Sequence, residues 1–385
     1  MKKFLVPLFL IVFVNRGLAQ DFITKPGFFK SELENDMADK VIKALDQLYQ
    51  DMADHDLSGE FLTASHQDLT MAVLNRYLIS PLKRRRTRLG NFTNQIMHLY
   101  PIAAEKCMVS IGHITKTTSE LQYQISLIAD ISGPKITFSN PLHHYARHWK
   151  KQRVGNITYH FRESINVARA LAFDEKNTII AEKFGLSPDK FDFYMCDDEQ
   201  EVLNLLGVGL MAERTGQTRN GFGVYLKTIC SIMNHEDFSH DVFHYYSGKV
   251  NASKNRNWIT EEGVAYLWGN AYYTDKNGEM ISHSRLVNEL KAYMTQNADT
   301  DLLDLFTNNT KIFKDIAPEI SVTSTISGIF AQEVEDRKGM EGVQLLINCG
   351  SKNRMENYFK AIESLLGVTK KNFNKRLAHL IAKYE

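Results

Sequence analysis

The sequence predicts an α+β fold. A small N-terminal α+β domain covers residues 20–140, and a second domain, residues 141–385, combines a small sheet with a mostly helical C-terminal part. Three observations predict this. Residues 33–55 carry apolar side chains at helical spacing with charges between them. Residues 107–142 alternate, are rich in Ile, Val, Thr and Tyr, and contain the turn "SGPK", which reads as several antiparallel strands. Beyond residue 160 the pattern runs helix, strand, helix, and after 284 it is mainly helical.

The individual elements follow in order. Residues 33–55 and 67–82 are predicted helices, ahead of the strands of 107–142. "HHYARHWKKQ", from His143, places His144 and His148 four apart, but the segment is basic and has no carboxylate close by, so it reads as linker and domain start. Residues 163–185 form a helix that stops at Gly185. "KFDFYMC" is a strand, and "DDEQEVLNLLG" an acid-capped helix ending at Gly207. "GFGVYLKTICSIM", 221–233, reads as one further strand running into a histidine-rich stretch.

With 385 residues, 43% of them hydrophobic, the chain can bury a sizeable core in two domains. Its 46 basic and 45 acidic residues nearly cancel, which leaves no electrostatic footprint for nucleic acid. "KRRRTR", residues 83–88, reads as a solvated loop or helix face. The N-terminus begins "MKK", continues with the apolar "FLVPLFLIVFV" and offers small residues at Gly17 and Ala19. Residues 1–19 therefore read as a secretory signal peptide, and the mature chain is expected to be secreted or periplasmic, with no membrane span. Such a compartment permits disulfides, but the spacing of Cys107, Cys196, Cys230 and Cys349 defines no framework. Cys230 reads as a buried structural thiol.

The chemistry concentrates in "NHEDFSHDVFHYY", residues 234–246. Two registers compete for a metal pair. On a regular helix each residue turns by about 100°. His235 and His240 would then diverge by about 140°, whereas His240 and His244 diverge by only about 40° and can chelate one ion. The working pair is His240 and His244. A hydrolytic zinc site commonly has a third protein ligand and an open position, and the next acidic pair lies in "NWITEEGVAYLWG", residues 257–269.

His240-Asp241-Val242-Phe243-His244, followed at this distance by Trp258 and Glu262-Gly263-Val264-Ala265, resembles the gluzincin metallopeptidases. Their pattern is His-Glu-x-x-His and then a Trp…Glu-Gly-x-Ala segment. The resemblance covers about 150–385 and leaves the N-terminal domain outside it. It implies a gluzincin-like domain whose zinc ligands are His240, His244 and Glu262. It also implies a peptide or protein substrate cleaved by zinc-activated water. A tyrosine or histidine donor serves the developing oxyanion in similar enzymes, and Tyr272, Tyr273 and His283 are the candidates here.

One departure matters. The family's base glutamate is Asp241 here, a methylene shorter, so its carboxylate retreats by roughly 1.5 Å on an unchanged backbone. A general base should sit about 2.6–3.2 Å from the atom that gives up the proton. Asp241 acts as base in a rebuilt site, or Glu261 or Glu236 substitutes, or the site binds zinc without hydrolysis. Four-residue spacing on the same helix would also make Glu236 a partner that orients His240.

Overall fold

A computed structural model describes residues 22–27, 29–53, 59–84, 89–212 and 221–384. The expected signal peptide and most of the basic run 83–88 lie outside these residues. The fold is α+β, in two compact units: 1–140 with 210–212, and 141–209 with 213–385.

The first unit contains β1 (Ile23–Thr24), α1 (Asn35–Ala53), α2 (Gln67–Leu74), α3 (Ser80–Arg84), β2 (Phe92–Ala103), β3 (Lys106–Thr115), β4 (Leu121–Asp130) and β5 (Thr137–Ser139). Between α2 and α3 the turn Asn75–Ile79 is a π-turn, so the helical run is continuous. Pro81 accounts for it: its ring excludes the carbonyl one turn back and it has no N–H to donate. The strands run in the order β1-β2-β3-β4-β5, antiparallel from β2 onward. The strand β2 was not evident in the sequence. Only Phe92, Asn94, Ile96 and Leu99 alternate inward clearly, and Pro101 sits at a register shift. Helix α1 buries Val41, Leu45, Leu48, Tyr49 and Met52. The Tyr49 hydroxyl and the Nε2 of fully buried His113 are 2.9 Å apart.

The second unit begins with α4 (Leu142–Tyr145), β6 (Lys150–Val154), β7 (Ile157–Phe161), α5 (Val167–Lys183), β8 (Phe191–Met195) and α6 (Glu199–Leu205). Asn166 and Asp198 cap α5 and α6 with their side chains, and Gly185 and Gly207 end these helices at positive φ. A strand not expected from the sequence, β9 (Val208–Met211), runs into residues 210–212 of the first unit and belongs to that unit's sheet, where it pairs with β4. The stretch 221–233 is a hairpin rather than one strand: β10 (Gly221–Tyr225) and β11 (Thr228–Ser231) flank a turn in which Leu226 adopts φ +58°. The second sheet runs β10-β11-β8-β7-β6, with β7, β8 and β11 mutually parallel. The remainder is helical: α7 (Ser239–Val250), α8 (Trp258–Trp268), α9 (His283–Gln296), α10 (Leu302–Asn308), α11 (Val322–Ile347, broken at Gly339 with φ +61°), α12 (Arg354–Leu366) and α13 (Phe373–Lys383). Among the described residues no helix is long and apolar enough to cross a membrane. The four cysteines are unpaired thiols; Cys230 is fully buried, which pushes its thiol up to about 12.

Each unit holds a buried histidine that resists protonation. Burial lowers His113 in the first unit and His283 in the second to about 4. Both folded values lie below the ordinary 6.5, so the unfolded chain takes up protons first as the pH falls. Stability is intact above about 6.5 and is lost between there and about 4, by about 3 kcal/mol per histidine. Urea denaturation near pH 7 and near pH 4.5 is expected to show lower midpoints for both units in acid. Equal midpoints would contradict this.

Candidate metal centre

Helix α7 begins at Ser239, one residue after Phe238 leaves the helical region (φ −136°, ψ 30°). Buried Phe238, Val242, Phe243 and Tyr246 fix the helix by its apolar face. His240 and His244 lie one turn apart on another face. Asn257 caps the start of helix α8; its side chain accepts the Ile259 N–H and donates to the Arg354 carbonyl. Its backbone N–H donates to the Ile347 carbonyl. The cap is fully buried, so the start of α8 is pinned.

Two glycines let α8 approach its neighbours. A Cβ on Gly263 would lie 2.5 Å from Ser327 Oγ and 2.8 Å from the Gly328 nitrogen of α11. A Cβ on Gly269 would lie 2.9 Å from the His240 nitrogen at the start of α7. No side chain fits at either crossing, which gives the glycine after Glu262 a packing reason.

This packing brings three donors together. His240 Nε2 and His244 Nε2 are 3.2 Å apart. Glu262 Oε1 lies 3.1 Å from His244 Nε2, and Oε2 lies 3.6 Å from His240 Nε2. A tetrahedral ion with bonds of about 2.0–2.1 Å needs neighbouring donors about 3.4 Å apart. His240, His244 and Glu262 could therefore hold a metal ion, and among the described residues they form the one such group.

The surroundings prepare the donors. His240 Nδ1–H donates to the Asn270 carbonyl at 2.9 Å, which fixes the tautomer and leaves the Nε2 lone pair facing the centre. Burial and the neighbouring His244 lower His240 to about 4, so it is neutral at pH 7. Burial works the other way on the basicity of His244 but is outweighed by Glu261 and Glu262, and His244 rises to about 10. A metal ion would have to displace that proton. Trp258 stacks on the His244 ring at 5.5 Å between centroids, with the planes 5° apart.

The other candidates separate clearly. Asp241 is half-buried in the first turn of α7, and its charge acts on both His244 and Tyr273. Glu261 is buried. Its Oε1 accepts from Ser247 Oγ at 2.6 Å and from Arg256 Nη1 at 2.9 Å, and lies 3.9 Å from His244 Nδ1. It sits on the far edge of the imidazole from Nε2, so it can orient His244 but is not placed as an alternative base. Glu236 corrects the sequence reading: it precedes α7 and shares no helix face with His240. Its Oε1 accepts the Asn166 N–H at 2.7 Å, and Arg169 is 3.9 Å from Oε2. His235 also lies before the helix, where its Nδ1 accepts the Asp237 N–H.

Of the possible oxyanion donors, His283 is committed elsewhere, to Tyr384 and the Thr325 carbonyl. Tyr272, at a strained φ of +71°, packs its ring 5.2 Å from His240. The Tyr273 hydroxyl is raised by burial and then by the charges of Glu319, Glu262 and Asp241. His144 is no metal partner of His148: α4 ends at Tyr145, and His144 Nε2 takes Arg147.

Sequence reasoning missed Asp237. This buried carboxylate accepts the Ser239 N–H at 2.8 Å, Lys176 Nζ at 2.8 Å and Asn270 Nδ2 at 2.9 Å. It ties the start of α7 to the residue whose carbonyl holds His240. No local pattern could reveal it, because Lys176 and Asn270 lie 61 and 33 residues away. Neither a protein-family model nor a curated protein matches the chain.

Proposed function

We propose that this protein is a secreted or periplasmic zinc metallopeptidase-like hydrolase of gluzincin type, acting on a peptide or protein. The observation that carries the reading is the spacing of the His240, His244 and Glu262 donors, 3.1–3.6 Å apart. Two imidazoles and one carboxylate are a donor set suited to zinc in hydrolysis. When bound there, zinc would supply a Lewis acid that polarises a carbonyl and makes water reactive near pH 7. The chain's own groups do the rest. Asn270 and Glu261 hold the two imidazoles in orientation. Asp241 takes the proton from the attacking water and passes it to the leaving nitrogen. The hydroxyl of Tyr272 or Tyr273 is the candidate donor to the oxygen on which charge develops.

A second reading, a degenerate metallopeptidase fold used for binding or as a scaffold, is favoured by one observation: aspartate at position 241. Cleavage of a quenched-fluorescent peptide library tests the two. The hydrolase reading expects wild-type turnover, reduced by about 10²–10⁴ in Asp241→Ala. No wild-type turnover, with activity appearing in Asp241→Glu, would establish the scaffold reading instead.

A further inference from the structure

We propose that the free face of Trp258 is a binding platform for an aromatic side chain of the ligand that occupies the metal centre. The inference rests on the zinc reading above and adds a ligand class to it.

Trp258 is the first residue of α8 and stands one turn before Glu262, so the two side chains share a helix face. One face of the indole covers His244, nearly parallel to it. Yet the residue is 52% exposed, unusual for a tryptophan, whose large apolar surface is normally buried. Its backbone does not move freely, because the buried Asn257 cap fixes the start of α8 from both sides. The result is a flat apolar plate, rigidly mounted and open to solvent, directly beside two of the three metal-type donors. An aromatic ring adds to such a plate by offset stacking without needing any polar group to be matched. A charged or small side chain gains little from it. The chemistry fits a peptide bearing Phe, Tyr or Trp beside the group that reaches the centre.

Two hydroxamates test this without requiring turnover, so the competence of Asp241 does not enter. Acetohydroxamate offers only the metal-binding group; 3-phenylpropanohydroxamate adds a benzyl group and nothing else. On the zinc-loaded chain the second is expected to bind about tenfold tighter. Trp258→Ala should remove that preference, bringing the two affinities within about twofold of each other. Trp258→Phe should keep most of the preference and Trp258→Leu should lose it, which guards against a poorly folded alanine variant. Equal weakening of both probes by Trp258→Ala would show that the indole only supports His244 and would overturn the inference. So would a preference that survives Trp258→Ala and Trp258→Leu. Failure of both probes on a chain that carries zinc overturns the inference alone. A chain that takes up no zinc overturns the metal reading and the inference with it.

Discussion

Gly263→Ala is expected to destabilise the second unit by about 3 kcal/mol and to weaken metal binding, although the added methyl touches no donor. The new Cβ would meet Ser327 Oγ at 2.5 Å and, more seriously, the Gly328 nitrogen at 2.8 Å. A flexible side chain can turn away, but a helical backbone cannot, so α8 and α11 must separate. Overpacking of this kind typically costs about 1–3 kcal/mol, and contact with backbone places it at the upper end. Separation also shifts Glu262, the preceding residue, from its position against His240 and His244. The checks are a denaturant midpoint and a zinc titration on the same preparation. Wild-type stability in the variant would show that the crossing is looser than described.

Glu262→Gln is expected to lower zinc affinity by more than about a hundredfold while leaving the fold intact. Glutamine keeps the shape but removes the one anionic donor among the three, a larger loss than that of an outer partner, which costs about 10–100-fold. It also removes one of the two carboxylates that hold His244 up at about 10, so His244 should titrate lower in the variant. Competition against a zinc chelator gives the affinity, and NMR of the imidazole gives the titration. Unchanged affinity would take Glu262 out of the ligand set.

The two predictions draw on features that the sequence reveals to different degrees. The pairing of His240 with His244 was legible because helical geometry depends on spacing alone, and both fall within α7. The position of Glu262 at the opposing helix came from a resemblance, and the reason for its glycine partner became visible only with α11 in place. Glu236 was misplaced because helical spacing was extended past the true start of α7. Phe238 supplies no capping side chain to mark that start, and Asn234, at φ +50°, turns the chain before it. Strands with a weak two-residue period were the other losses. In β2 that period is interrupted by a register shift between Ile96 and His98. β9 has only four residues. The hairpin β10–β11 turns at Leu226, a residue type that gives no turn signal. The Asp237 network is a tertiary property with no local signature.

The most direct test of the metal centre is metal content per chain, by elemental mass spectrometry, on wild type beside the His240→Ala, His244→Ala double variant. The proposed zinc site predicts about one zinc ion per wild-type chain and none in the variant. No metal in either after zinc has been supplied, or equal zinc in both, would contradict it.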